Sequence, residues 1–263
     1  MVVLPLIVFA IGLLIGSFLN VVILRINTGR SIVNGRSKCA RCGRVLAWYE
    51  LIPVASFLGL RGKCRTCKEG ISFQYPFVEL VTAIVFVICY IKFLLAGMFT
   101  PAAWIAFVFA LCIASLLIVI TVYDVRHRVI PDVVVYPFIL LALGSVVYRV
   151  MEYPALSLFG ALLGGVLVAL PFFLFWYFSK GRVMGFGDVK LALGIGWLLG
   201  IAQGYSAVVL AFWIGAIVGL FLLALTRRYG MKSQIPFGPF LVLGVFIVAL
   251  WGVTISTLFP LWP

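Results

Sequence analysis

Long apolar stretches, separated by short polar segments, run through the whole chain. Several of them reach the length of about 20 residues that a helix needs to cross the hydrocarbon of a bilayer. Because every backbone polar group inside lipid needs a partner within the protein, helices rather than open strands are expected to make the crossings. The pattern predicts eight spans, at about residues 2–24, 77–96, 102–123, 133–149, 157–178, 188–203, 206–225 and 236–259.

The composition supports this prediction. Hydrophobic residues make up 65% of the 263 residues and charged residues 10%, which excludes an ordinary soluble domain. The predicted fold class is therefore an all-α polytopic membrane protein.

The charges indicate how the spans are oriented. The net charge is +13, but the cations lie in loops beside the spans, which is typical of membrane topology rather than nucleic-acid binding. Ten cations lie between Arg25 and Lys68. Eight more fall in loops on the same predicted side: Arg126, Arg128, Lys180, Arg182, Lys190, Arg227, Arg228 and Lys232. We therefore expect residues 25–76 in the cytosol and both termini outside it.

This topology divides the chain into three predicted regions. Residues 1–24 form the first membrane helix, residues 25–76 a cytosolic domain, and residues 77–263 a membrane domain of seven helices. Small residues within the first, fifth and sixth spans are interpreted as positions of close helix packing. They are Gly12, Gly16, Ser17, Gly160, Gly164, Gly165, Gly194, Gly196 and Gly200.

Four cysteines in the predicted cytosolic domain have the spacing of a zinc ribbon, with 21 residues between two CxxC pairs. Each CxxC turn directs two thiolates to one point, so two such turns complete a tetrahedral site. The predicted zinc ligands are Cys39, Cys42, Cys64 and Cys67. Gly43 and Gly70 are expected to allow the tight turns after each pair. Two disulfides are the alternative, which a cytosolic location disfavours.

Two acidic residues lie where predicted spans meet the cytosolic face. Asp124 follows the third span, and Asp188 opens the sixth within Gly185-Phe186-Gly187-Asp188. Two carboxylates brought together do not both ionise easily, so such a pair shares a proton near neutral pH. The neutral acid can then polarise a peptide carbonyl while the ionised one accepts a proton from water. The sequence thus favours Asp124 and Asp188 as a catalytic pair.

Other roles for these acids stay open at this point. Asp188 could cap its helix at the N-terminus, and Asp124 could pair with Arg126 or Arg128. Asp132 follows a proline at the start of the fourth span, which favours a role in the first helical turn.

Four further residues are predicted to bind substrate or to support the site: Gly185, Gly187, Glu79 and Lys190. The two glycines would let an extended substrate approach Asp188 closely. Glu79 lies just inside the second span, where an acid should face protein, water or a partner.

Taken together, six segments resemble the bacterial type IV prepilin leader peptidases, a branch of the GxGD intramembrane aspartyl proteases. The segments follow the family's order along nearly the whole chain. They are Gly16–Val22, the four cysteines, Tyr75–Leu80, Asp124 with Ile130-Pro131-Asp132, Gly185–Leu191 and Pro236–Phe240. Asn27 departs from the family, which often has proline at this position.

The resemblance implies a function and a location. Such enzymes of the bacterial inner membrane remove the basic leader of prepilins and pseudopilins at the cytosolic face, just after a glycine. Many then methylate the new N-terminal amine with S-adenosylmethionine, and the cysteine domain is similar to that of the members with both activities. The resemblance identifies Asp124 and Asp188 as the catalytic residues and zinc as the bound metal. Residues that bind the methyl donor are not identified by the sequence.

The charge of residues 25–76 disfavours one simple picture of substrate binding. A basic leader is not expected to bind a domain with ten cations and only two acids, Glu50 and Glu69. Anionic lipid headgroups fit that charge better. Glu79 is then the first candidate for recognition of the leader.

Two other functional classes compete with proteolysis. In the first, a transporter or channel uses Asp124, Asp188 and Glu79 to relay cations, although no inverted repeat supports it. In the second, a zinc-binding scaffold has no chemistry, which leaves the position of the two aspartates unexplained. Tyr123-Asp124 is also similar to presenilins and signal peptide peptidases, but the cysteines and residues 236–240 fit prepilin peptidases better.

Overall fold

The described part of the chain is helical throughout. The computed structural model describes residues 3–96, 99–152, 157–225, 235–254 and 257. The helices are α1 Val3–Arg25, α2 Ala55–Gly59, α3 Gln74–Cys89, α4 Pro101–His127, α5 Asp132–Glu152, α6 Leu158–Ser179, α7 Phe186–Leu199, α8 Ile201–Leu225 and α9 Gly238–Trp251. A π-helical segment, Tyr90–Leu95, continues α3, and a 3-10 turn covers Trp48–Leu51. The predicted all-α class is confirmed.

Among the described residues, six helices are long and apolar enough to cross a bilayer: α1, α3 with its continuation, α4, α5, α6 and α8. The other two apolar helices, α7 and α9, have 14 residues each. At a rise of 1.5 Å per residue they are about 21 Å long, shorter than the hydrocarbon thickness of about 30 Å. The predicted count of eight spans is therefore approximate.

Some predictions fall beyond the described residues. They concern residue 2 of the first predicted span, residues 255, 256, 258 and 259 of the eighth, and the cations Arg227, Arg228 and Lys232.

The predicted boundary between the sixth and seventh spans is wrong. The sixth was expected to run from 188 to 203, but α7 ends at Leu199 and α8 begins at Ile201. Gly200 joins them with φ at +82°, a conformation that glycine adopts without steric cost. Because the apolar pattern continues across Gly200, hydropathy alone does not show the break.

The chain forms two compact units, residues 1–119 and 120–263. In the first unit α1 packs against α3 in an antiparallel register that repeats every helical turn. A Cβ atom at Gly12 would lie 2.5 Å from the Cα atom of Ala83, and one at Gly16 would lie 2.7 Å from the Cα atom of Glu79. One turn further, the Asn20 side-chain amide donates to the carbonyl of Tyr75 at 3.1 Å. The predicted packing role of Gly12 and Gly16 is confirmed.

In the second unit α7 lies between α5 and α6 and also contacts α8 and α9. A Cβ atom at Gly196 would lie 2.7 Å from the Cα atom of Gly165 on α6. Gly194 faces the ring of Phe138 on α5, where a Cβ atom would be too close to a ring carbon. These glycines bring neighbouring helices onto α7, the helix that carries Asp188.

Candidate active site and metal centre

Asp124 lies within the last turn of α4, one residue beyond the predicted end of its span. Its residue surface is 5% exposed, so the carboxylate is almost removed from solvent. Arg126 and Arg128 are exposed, and among the described residues Asp124 forms an ion pair with neither. The alternative pairing of Asp124 with these arginines is therefore not observed.

The backbone of α9 contacts the Asp124 carboxylate directly. The N–H group of Gly238, the first residue of α9, donates to Oδ2 of Asp124 at 3.0 Å. A Cβ atom at position 238 would lie 2.6 Å from that oxygen, which is closer than such atoms approach in proteins. Glycine is thus required for this contact, and Gly238 is a site residue that the sequence indicated only as part of a motif.

Asp188 is the third residue of α7, whose N-cap is Gly185. The Asp188 carboxylate accepts a hydrogen bond from the backbone N–H of Gly185. This reach from the third helical position back to the cap is one half of a capping box. Asp188 therefore stabilises the start of α7, as one alternative expected, although it is not the N-cap residue itself.

The two aspartates interact through space. The charge of Asp124 acts on the Asp188 carboxylate, so both groups belong to one electrostatic site in the second unit. Like charges at close range disfavour the state in which both groups are ionised. This arrangement can hold one shared proton, which is the property that acid–base catalysis by a pair of carboxyl groups requires.

The two glycines of this loop differ in their surroundings. Gly185 is exposed and has an extended backbone conformation with φ at −74° and ψ at 150°. A Cβ atom at Gly187 would lie 2.8 Å from Cβ of Ile130, so this glycine serves the packing of α7 against the segment before α5. Of the two glycines, Gly185 is thus the one whose backbone is exposed.

Lys190 links α7 to the start of α5. Its Nζ atom lies 2.7 Å from Oδ1 of Asp132, in the first turn of α5 as the sequence predicted. The same ammonium lies 4.8 Å from the ring centroid of Tyr136 and 5.4 Å from that of Phe186. Asp132 is exposed, and its interaction with Lys190 gives it a role in positioning α7.

Glu79 belongs to the first unit and is buried on α3, with 6% exposure. Its Oε2 atom accepts a hydrogen bond from the backbone N–H of Val54 at 2.7 Å, and the Ser17 side chain also hydrogen-bonds to the carboxylate. The carboxylate therefore holds residue 54 against the membrane helices, a structural contact that the sequence does not reveal.

The four predicted metal ligands come together in the first unit. The Sγ atoms of Cys39, Cys42, Cys64 and Cys67 all lie within 4.8 Å of one another, and those of Cys39 and Cys67 are 3.8 Å apart. Tetrahedral zinc with bonds of about 2.3 Å to sulfur separates its sulfur ligands by about 3.8 Å. The spacing and the four-sulfur donor set fit a metal ion such as zinc.

Two equivalent backbone turns build this cluster. Gly43 donates to the carbonyl of Cys39, and Lys68 donates to the carbonyl of Cys64, each at 3.0 Å. Both donors have positive φ, +70° for Gly43 and +59° for Lys68. The prediction for Gly43 is confirmed, but that for Gly70 is wrong, because Lys68 occupies the equivalent position in the second turn.

Hydrogen bonding favours the thiolate form of one of the four cysteines. Backbone N–H groups of Cys67 and Thr66 lower the pKa of Cys64 to about 6. A thiolate is the form that coordinates zinc. Beside the cluster, Glu50 forms an ion pair with Arg44 at 2.6 Å, and this hydrogen bond together with that from the Ala47 N–H lowers the pKa of Glu50.

Comparison with known proteins places this geometry in a family. The sequence model of the bacterial peptidase A24 N-terminal domain matches residues 10–93, and that of the type IV leader peptidase family matches residues 111–220. These ranges contain the cysteine cluster and both aspartates. No solved structure matches the chain.

Three curated relatives are each called prepilin leader peptidase/N-methyltransferase. The protein from Bacillus subtilis strain 168 is 34% identical, and the match covers 96% of both chains. That from Pseudomonas aeruginosa is 32% identical over 92% of this chain and 88% of its own. A Myxococcus xanthus protein is 35% identical over 86% of this chain, although the match spans 65% of that protein's length. The chain belongs to the type IV leader peptidase family.

Proposed function

We propose that this protein is a membrane-embedded aspartyl endopeptidase that removes the leader peptide of type IV prepilins and pseudopilins and then methylates the new N-terminus. Membership of the leader peptidase family and the names of the full-length relatives support both activities. The observation that carries the proposal is the position of buried Asp124 in the last turn of α4 and of Asp188 in the first turn of α7, where the charge of the first acts on the second. The names of the relatives give no support to the alternative ion-relay function.

In the proposed reaction the two aspartates divide the acid–base work. The protonated carboxyl group polarises the scissile carbonyl, while the ionised one removes a proton from water. The resulting hydroxide adds to the carbonyl carbon. The C–N bond then breaks, and the leaving amine takes a proton from the pair. The hydrogen bond from Gly238 fixes the position of the Asp124 carboxylate within this pair.

The substrate approaches this pair from the side of Gly185. Its exposed, extended backbone lies next to the Asp188 carboxylate and leaves room for an extended peptide. Gly187 and Lys190 support the site indirectly, since the first packs on Ile130 and the second pairs with Asp132. Glu79, the first candidate for leader recognition, also accepts a hydrogen bond from the Val54 N–H.

The cysteine cluster holds a structural zinc ion. Four thiolates fill a tetrahedral shell, so no open position is left for a substrate or a water molecule. The metal then joins the two CxxC turns, which are 21 residues apart in sequence. Its contribution is to the folding of the domain between α1 and α3.

Methylation requires a methyl donor, for which S-adenosylmethionine is proposed because the relatives are named N-methyltransferases. The donor supplies an electrophilic methyl group, and the amine that cleavage exposes supplies the electron pair. Residues of this chain that bind the donor are not assigned.

The proposed location is the inner membrane of a bacterium, with residues 25–76 as the cytosolic zinc domain and residues 1–24 and 77–263 within the membrane. Both termini lie outside the cytosol. The concentration of cations between Arg25 and Lys68 supports this orientation.

The test is to incubate the purified full chain with a prepilin and isotopically labelled S-adenosylmethionine and to measure the product mass. We expect a product without its leader that carries one labelled methyl group. An intact prepilin would contradict the peptidase proposal. A cleaved but unlabelled product would contradict methylation and leave the peptidase proposal standing.

A further inference from the structure

The segment between the two cysteine pairs exposes an unusual amount of apolar surface. We call residues 48–59, which contain the 3-10 turn and α2, the interfacial segment. Trp48 is 77% exposed and Leu58 68% exposed, and two further apolar residues, Leu51 and Ile52, are also exposed. Exposed apolar clusters of this kind typically mark contacts with another molecule or with a membrane.

The interfacial segment is held at membrane depth. Val54 donates to Glu79, which lies five residues beyond the start of α3 and so about 7.5 Å along the helix axis. The span Gln74–Leu95 has 22 residues, a length of about 33 Å, and therefore uses almost its whole length to cross about 30 Å of hydrocarbon. Glu79 is therefore expected to lie within the hydrocarbon layer, just below its surface. Val54, which is hydrogen-bonded to Glu79, places the interfacial segment at the same depth.

The backbone of Val54 adopts an unfavourable conformation at its hydrogen bond with Glu79. Val54 has φ at +59°, which is unfavourable for a β-branched residue. The hydrogen bond to buried Glu79 holds the residue in this conformation.

Aromatic side chains continue the apolar surface onto α3. The rings of Phe57 and Phe73 are 6.3 Å apart, and those of Phe73 and Phe77 are 6.4 Å apart. Phe73 is 68% exposed and Phe77 52% exposed. Since α3 is a membrane span, its exposed Phe77 ring faces lipid, and the Phe73 ring just before α3 joins the surface of the segment to it.

Cations border this apolar surface. Arg61 and Lys63 follow α2 and are exposed, and the Arg65 guanidinium lies 5.6 Å from the ring centroid of Tyr49. The acid within the segment, Glu50, is buried and paired with Arg44. An apolar surface with a cationic border complements anionic lipid, and it repels both a basic leader and a second copy of itself.

We propose that the interfacial segment inserts into the headgroup layer of an anionic bilayer, with Trp48, Leu51, Ile52 and Leu58 toward the acyl chains and the neighbouring cations at the lipid phosphates. Aromatic rings and long basic side chains both prefer this layer. The cysteine domain is thereby fixed against the membrane at a third point, in addition to α1 and α3.

The experiment uses the full chain as a single copy in lipid nanodiscs, with an environment-sensitive fluorescent amino acid in place of Leu58. Val33 is the matched control position. It is 86% exposed, and its loop is held by hydrogen bonds from Arg25 to Ser31 and Asn34, beyond the end of α1. The nanodiscs contain phosphatidylglycerol and a lipid with a nitroxide near the headgroup, and metal content is measured to verify the fold of each variant.

We expect the nitroxide lipid to quench the label at position 58 several-fold more than the label at position 33, and aqueous iodide to show the opposite order. Equal quenching at both positions would overturn insertion. Shielding of position 58 that develops only after a prepilin is added would assign the surface to the substrate and would also overturn it. Replacing phosphatidylglycerol by phosphatidylcholine should weaken the nitroxide quenching at position 58, and unchanged quenching would overturn the role of the cations.

Discussion

Two buried acids near the ends of membrane helices, Glu79 and Asp124, have different neighbours. Glu79 faces hydrogen-bond donors, the backbone N–H of Val54 and the side chain of Ser17. Asp124 accepts a hydrogen bond from Gly238, and its charge also acts on the carboxylate of Asp188. Donors that surround an acid fix its position and hold a structure together. A second acid nearby favours a state in which one carboxyl group is protonated and the other is ionised. Acid–base catalysis requires such a state.

Burial alone does not distinguish a carboxylate that holds a structural contact from one that is proposed to do chemistry. Glu79 and Asp124 are 6% and 5% exposed, and each lies within two turns of one end of an apolar helix, Glu79 near the start of α3 and Asp124 near the end of α4. The identity of the neighbouring group distinguishes them. Exchanging each acid for its amide tests this distinction, because the amide preserves the shape of the side chain and removes the charge.

The largest effect is expected from the aspartates. Asp124→Asn and Asp188→Asn should each lower the rate of leader cleavage by a factor of about 10² to 10⁴, because an amide neither accepts the proton of water nor supplies one. Glu79→Gln should change that rate less than about tenfold. The measurement is the single-turnover cleavage rate with purified prepilin. A loss of cleavage in Glu79→Gln as large as that in the aspartate variants would contradict the comparison.

The second effect concerns the metal. We expect about one zinc ion per chain, and its loss in the double variant Cys39→Ser/Cys64→Ser, because two of the four ligands of a structural site are removed. Cys112→Ser is the control, since Cys112 lies on α4, outside the cluster. Elemental analysis of the purified proteins gives the metal content. A double variant that retains its zinc would refute the four-cysteine site.

A smaller effect is expected at Gly238. In Gly238→Ala the new Cβ atom would lie 2.6 Å from Oδ2 of Asp124, so either α9 or the carboxylate has to move. Displacement of a catalytic group by about 1 Å costs up to about 100-fold in rate, and we expect a 10-fold to 100-fold loss of cleavage. Gly144→Ala, also in the second unit, is the matched control because its Cβ atom meets nothing within 4 Å. Equal rates for the two variants would show that the Gly238 contact is unimportant.

The smallest effect is a pH dependence in the cysteine domain. The hydrogen bond from Arg44, followed by that from the Ala47 N–H, lowers the pKa of Glu50 below its ordinary value of 4.5. The ionised form therefore contributes stability that is fully present above pH 4.5 and is lost as the pH falls through the folded-state pKa. The wild-type protein should unfold at a higher temperature than Glu50→Gln at neutral pH, and the difference should disappear in acid. Subtracting the two curves cancels acid release of the metal, and a difference that grows as the pH falls would contradict this assignment.

Hydropathy and spacing were sufficient to predict the helical class, the cluster of four cysteines and close helix packing at the small residues of α1. Each of these depends on a pattern that is local in sequence. A span is a continuous apolar stretch, a CxxC pair forms its own turn, and small residues one turn apart lie on one helix face.

The hydrogen bonds that the two buried acids, Asp124 and Glu79, accept were not predictable in this way. Gly238 donates a hydrogen bond to Asp124, which is 114 residues away in sequence. Val54 donates one to Glu79, which is 25 residues away. In each case the donor is a backbone N–H group, which every residue except proline has, so its side chain gives no signal. The break at Gly200 was hidden because helix and turn there have equally apolar neighbours.

The central claim is that Asp124 and Asp188 act as one unit, and a double-mutant cycle tests it most directly. Single-turnover cleavage of a prepilin is measured for the wild type, Asp124→Asn, Asp188→Asn and the double variant. Residues that act as a unit have strongly non-additive effects. We predict that the double variant retains the same residual rate as either single variant. A double variant whose loss equals the product of the two single losses would show that the aspartates act independently and would contradict the shared site.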